Sequence, residues 1–108
     1  MRVLLDECLP RKLGRLLVWH EVSTVPEAGW AGVTNGKLLA RIAGQFDAFI
    51  TVDQNLPAQQ NTSALPFGII VLRSRTNQLT DLAPLVPKIL TALPTLTPGQ
   101  VLVLFIAD

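Results

Sequence analysis

The sequence predicts an α/β fold, a three-layer α/β/α sandwich built on a mainly parallel five-stranded sheet. Three observations predict it. Short apolar runs alternate along the chain with stretches of helical periodicity. Two of the runs, Gly68-Ile69-Ile70-Val71-Leu72 and Val101 to Ile106, contain no polar residue, as expected of strands covered on both faces of a parallel sheet. Two others, Val3-Leu4-Leu5 and Phe49-Ile50-Thr51-Val52, each run directly into an aspartate, Asp6 and Asp53. Parallel strands deliver both carboxylates to one edge of the sheet, the edge where open α/β sheets bind ligands.

The elements follow in order. Val3–Leu5 reads as strand 1. Pro10 suits the first turn of a helix, where its missing N–H costs nothing. Leu13, Leu16 and Leu17 form that helix's apolar stripe, with Arg11, Lys12 and Arg15 off it. His20–Val25 reads as strand 2, and 26–33, with Gly29 and Gly32, as a loop. Thr34 or Asn35 caps helix 2, whose buried face is Leu38, Leu39, Ile42, Ala43 and Phe46. Ala48–Val52 is strand 3. Gln54–Pro66 is a polar loop about 13 residues long, a length usually kept for function or mobility. Phe67–Leu72 is strand 4. Leu82, Leu85, Val86, Ile89, Leu90 and Leu93 mark helix 3, with a late start or a kink at Pro84 and Pro87. Thr97-Pro98-Gly99 is a turn before strand 5. Right-handed crossovers then place helices on both faces. Strand 5 is either central or an edge buried in a homodimer; the residues leave both open.

A chain of 108 residues has room for one domain, 1–108. With 49% hydrophobic and 16% charged residues it is a folded globule and not a disordered tail. Its mean hydropathy of +0.41 implies a well-filled core or apolar surface covered by a partner. The longest apolar run, Val101 to Ala107, falls far short of the ~18 residues of a spanning helix, so no membrane segment is expected. Asp6 and Glu7 interrupt any signal-peptide core, and one cysteine, Cys8, suits a reducing compartment; a cytoplasmic location is expected. A net charge of +1 excludes a general polyanion binder, but Arg11, Lys12 and Arg15 gather on helix 1, and Arg73 and Arg75 close strand 4.

Two acids at one sheet edge suit a hard cation, and a hard cation suits phosphate chemistry. Asp6 and Glu7 are neighbours and point opposite ways from an extended chain, and Asp6 is the better placed. A helix cap or turn is an equal account of Asp6. Asp53-Gln54-Asn55 offers a carboxylate and an amide oxygen two residues apart; the same triplet is an ordinary turn. Glu27 follows strand 2 towards the same edge, where an exposed loop glutamate is the simpler account. Arg73 either pairs with an aspartate or holds a phosphate. His20 lies at the opposite edge, Cys8 lacks a partner motif, and Trp19 and Trp30 read as core or interface residues.

Several segments, in order, resemble one family. Leu4-Leu5-Asp6-Glu7-Cys8-Leu9-Pro10 is similar to the L-L-D-E-N-L-P opening of the small PIN-like proteins, relatives of the VapC toxins. His20-Glu21-Val22 with Val25-Pro26-Glu27-Ala28-Gly29 resembles their G-H-D-V…V-R-E-L-G. Thr51-Val52-Asp53-Gln54-Asn55-Leu56 resembles T-x-D-x-D-F, and 66–73 resembles P-x-G-I-V-x-L-R. The resemblance spans residues 1–73. It implies a PIN-like α/β/α fold, acids that bind Mg²⁺ or Mn²⁺, hydrolysis of RNA phosphodiesters, and a bacterial toxin with an antitoxin partner. Asp6 and Asp53 match two family acids, and Glu27 a commonly acidic position. Asn35 stands where the family has an aspartate at the start of helix 2, and Asn55 replaces the second acid after strand 3. Each change keeps an oxygen and removes a charge, so ion affinity should fall.

The expectation is therefore a metal-dependent ribonuclease. Asp6 and Asp53 hold the ion and carry catalysis, Asn35, Asn55 and Glu27 act as auxiliary ligands, and Arg73, Arg11 and Lys12 bind RNA. The rival expectation is a degenerate PIN-like module that binds RNA or protein without cutting. A phosphate-accepting receiver domain is a third, weakened by the lack of the expected lysine near the end of a later strand.

Overall fold

A computed structural model describes residues 1–106. Ten elements follow the chain: β1 (Arg2–Leu5), α1 (Arg11–Leu16), β2 (Glu21–Thr24), α2 (Asn35–Ile42), β3 (Ala48–Thr51), α3 (Leu56–Gln59), β4 (Gly68–Leu72), α4 (Leu79–Leu82), α5 (Val86–Ala92) and β5 (Val101–Leu104). The strands form one sheet in the order β2-β1-β3-β4-β5, parallel throughout. Val3 lies opposite Val22 on one side and Ala48 on the other, and Ile50 lies opposite Ile70. The predicted α/β class and parallel sheet are those observed.

Side-chain alternation along the strands splits the core into two layers. Val3, Leu5, Ala48, Ile50, Ile70 and Leu72 face one side, where Leu9, Leu13 and Leu17 around α1 and Leu82, Leu85, Ile89 and Leu93 of the α4–α5 region cover them. Leu4, Phe49, Phe67, Ile69 and Val71 face the other, under Leu38, Leu39 and Ile42 of α2 and Leu56 of α3. Gly14 lets α1 sit close on the edge strand: a Cβ there would lie 2.8 Å from Val22 Cγ1. Among the described residues, no helix is long and apolar enough to cross a membrane.

Several elements depart from expectation. Leu16 is exposed, because α1 buries only the Leu9–Leu13–Leu17 row spaced at i, i+4. The loop 54–66 contains the short helix α3, started by Pro57 in its first turn and anchored by buried Leu56. Helix 3 begins early, at Leu79. It is broken into α4, a 3₁₀ turn (Ala83–Leu85), α5 and a second 3₁₀ turn (Leu93–Thr95), each of the last three carrying a proline in its opening turn. Strand 5 is an edge that ends at Leu104, and Val103, Phe105 and Ile106 are exposed. The crossovers do not all share a hand. β1→β2 and β4→β5 pass over the same face but step in opposite directions along the sheet, so they differ. The first three crossovers agree and β4→β5 is the exception. Its connection is a chain of short helical pieces, not the single stiff helix on which the handedness preference rests.

Candidate functional site

The strand order reverses between β1 and β3, and the crevice beyond the carboxyl ends at such a reversal is where open α/β sheets bind ligands. Asp6 directly follows β1 and Asp53 lies two residues past the end of β3, the strands on either side of that reversal. The Asp6 N–H donates to the Ile50 carbonyl at 2.9 Å, so the end of β1 is tied to β3 just before the second acid. Thr51 then joins them. This fully buried residue donates its hydroxyl proton to Asp6 Oδ2 at 2.6 Å and accepts the Asp53 N–H at 3.0 Å. A buried hydroxyl is costly unless both of its roles are filled, and here the two acids fill them. Sequence reasoning passed over Thr51. Its signal was present: the one polar residue in the run Ala48 to Val52, two places before Asp53.

The remaining oxygens are engaged locally. Asp6 Oδ1 accepts the Glu7 N–H at 2.8 Å, and the Glu7 carboxylate turns away to accept the Gly32 N–H at 3.2 Å. Asp6 caps no helix, since Pro10 occupies the cap position of α1. Asp53 Oδ1 accepts the Asn55 N–H at 3.0 Å, the turn expected of the D-x-N triplet. Asp53 Oδ2 accepts a long bond, 3.4 Å, from the side-chain amide of Asn35, at the first position of α2. Asn35 thus meets Asp53 as a hydrogen-bond donor. Thr34 occupies the cap position of α2 without a side-chain cap bond. Glu27 closes its own turn: its Oε1 accepts the Thr24 N–H at 3.1 Å, and its N–H donates to Thr24 Oγ1 at 3.2 Å.

Among the described residues, no group of three or more His, Cys, Asp or Glu side chains is placed to hold a metal. Two carboxylates with free lone pairs, supplemented by amide oxygens and water, remain a fitting donor set for Mg²⁺, which takes one or two protein carboxylates and keeps water and phosphate as its other ligands. Each aspartate oxygen that accepts one hydrogen bond keeps a second lone pair for an ion.

Arg73, at the end of β4, is held by a residue the sequence reading did not single out. Its Nε donates to Gln54 Oε1 at 3.0 Å, and the Gln54 amide donates to the Leu72 carbonyl at 3.1 Å. The guanidinium is oriented through Nε, and its terminal nitrogens make no hydrogen bond to the described residues. Cys8 is half-buried beside the acids. Burial first, and then the negative charge of Asp6, push its thiol pKa above the ordinary value, which suits an inert thiol.

A cleft of about 390 Å³ runs between α1 and β2, lined by Arg11, Gly14, Arg15, His20, Val22, Thr24 and Glu27. Lys12 is exposed and outside this lining. The two tryptophans differ. Trp30 is half-buried, edge-on to Phe46 with ring centroids 6.0 Å apart. Trp19 is 91% exposed with φ of 69°, the one non-glycine residue of positive φ among those described. Of the core and interface roles expected for Trp19, its exposure removes the core role, since the left-handed turn between α1 and β2 leaves its side chain in solvent.

No protein-family model matches the chain, and neither the curated proteins nor the solved structures contain a significant match to it.

Proposed function

We propose that this domain is a PIN-like, divalent-ion-dependent ribonuclease, the toxin half of a toxin–antitoxin pair. The observation that supports it most is the buried Thr51 hydroxyl, which locks the Asp6 carboxylate to the backbone of Asp53 at the reversal of strand order. Acids fixed on rigid strand ends hold an ion with little reorganisation. Asp6 and Asp53 are its proposed ligands, with the side-chain oxygens of Asn55 and Asn35 as supplements. Glu27, committed to its own turn, is the weakest member of the expected set. Bound Mg²⁺ or Mn²⁺ would supply charge neutralisation and an activated water. Arg73, steered by Gln54, offers its terminal nitrogens to a phosphodiester oxygen in the forked geometry that guanidinium favours. Arg11 and exposed Lys12 would steady the RNA backbone. The antitoxin partner rests on the family resemblance alone.

One observation favours the rival, a domain that binds RNA without cutting it. The amide of Asn35 donates to Asp53 where an aspartate would repel it, and so partly does the work of a cation. Calorimetric titration of Mn²⁺ into the wild type and into Asp6→Asn separates the two readings. The nuclease reading expects binding by the wild type, loss by the variant, and RNA cleavage that Asp6→Asn abolishes. An ion-indifferent wild type, or a variant that cuts as well as its parent, would falsify it.

A further inference from the structure

We propose that the cleft between α1 and β2 is a binding groove for single-stranded RNA, with Trp19 at its far end as a base-stacking platform. The inference rests on the RNA reading of the acidic site and extends it from Arg11, already expected to bind RNA, along the cleft to Arg15, His20 and Trp19, which the sequence reading did not assign to RNA.

The charge of the cleft points to its occupant. Arg11 and Arg15 stand one turn apart on α1 and both line it, with the His20 imidazole beyond them. The opposing carboxylate, Glu27, lies at one end and is engaged by the Thr24 N–H. Two guanidiniums along a groove suit consecutive phosphates of a backbone.

The groove also leads to the acids. Its upper wall includes Thr24, which lies opposite Leu5 in the sheet, and Leu5 is the residue before Asp6. The groove thus opens at the sheet edge that carries the acids, on the α1 face, while Asp6, bonded to Thr51, turns to the α2 face, so a chain leaving the groove must pass over that edge to reach them.

Trp19 immediately precedes His20 at the other end. Its backbone sits in the left-handed region that favours glycine, and 91% exposure means that the indole returns almost nothing in packing. Strain of this kind in a bulky residue, without burial to offset it, points to use of the side chain at the surface. An exposed indole beside a cationic groove is the usual means of holding unpaired bases, which a duplex does not offer. Exposed Leu16 and Val18 nearby also suit a protein partner, but they do not account for the cationic lining.

The chain has two tryptophans and no tyrosine, so its intrinsic fluorescence reports on Trp19 and Trp30 alone. A uridine 12-mer is titrated into the full chain at low salt with EDTA, which keeps the ion site out of the measurement. Expected are saturable quenching that persists in Trp30→Phe, and anisotropy-measured affinity for labelled 12-mer about 5- to 100-fold weaker in Trp19→Gly and Arg15→Glu. Trp19→Gly also serves as the folding control. Glycine relieves the positive φ, so its Tm should rise by a few degrees while affinity falls, a split that a merely structural role would not give. Wild-type affinity in both variants overturns the groove and leaves RNA binding at the acids standing. No binding of the 12-mer by the wild type overturns the groove and the RNA reading together, and leaves Trp19 with Leu16 and Val18 as a protein-contact patch.

Discussion

Strands β4 and β5 are both uncharged and apolar from end to end, yet β4 is buried at every residue while β5 leaves Val103 43% exposed. Their hydrogen bonding explains part of the difference. β4 pairs with β3 on one side and β5 on the other, whereas β5 has one neighbour. Layering explains the rest. Leu102 and Leu104 pack into the layer that holds α5, but on the opposite face only Val101 of β5 packs against the layer under α2 and α3, and Val103 lies beyond it. An apolar run therefore marks a parallel strand without saying whether it lies in the middle. A strand of β5's composition at an edge also lacks the charges, prolines and bulges that usually discourage pairing with another strand.

Substitutions that set the two strands against each other should differ in size. Ile70→Ala, fully buried on the face of β4 that the α4–α5 layer covers, is expected to lower stability by about 2–5 kcal/mol, read from the urea midpoint. A cost near that of an exposed site would mean that the α4–α5 layer is looser than its packing implies. Thr51→Val, at the end of β3 beside β4, conserves volume but removes the hydroxyl shared by the two acids. It should cost about 1–3 kcal/mol and weaken Mn²⁺ binding in calorimetry. Unchanged ion affinity would show that Thr51 holds the fold and not the site. Val103→Thr, on exposed β5, should stay within about 0.5 kcal/mol. A larger loss at Val103, growing with protein concentration, would show that β5 is covered in solution.

Much of the acidic site was legible in the chain. Asp6 and Asp53 stood out because each ends an apolar run, and the reversal of strand order between β1 and β3 is what makes that edge a crevice. Thr51 left a trace, as the lone polar residue of an apolar run, but what it and Gln54 bond to was not legible. Their roles depend on partners on other strands, Asp6 at the end of β1 and Arg73 at the end of β4. Glu27 shows the converse. Topology sends it towards the acids, but a turn bond to Thr24, formed three residues away, holds its carboxylate.

By itself the sequence determined the α/β class, the strands and their parallel arrangement, because periodicity and local turn chemistry are properties of neighbouring residues. It also located the prolines that segment the last helical stretch. Only the tertiary structure decided that β5 is an edge, that the β4→β5 crossover reverses hand, that one buried hydroxyl joins the two acids, and that Trp19 stands in solvent while Trp30 packs. Those outcomes rest on contacts between residues far apart in the chain, where the free energy depends on which surfaces meet and no local pattern records it.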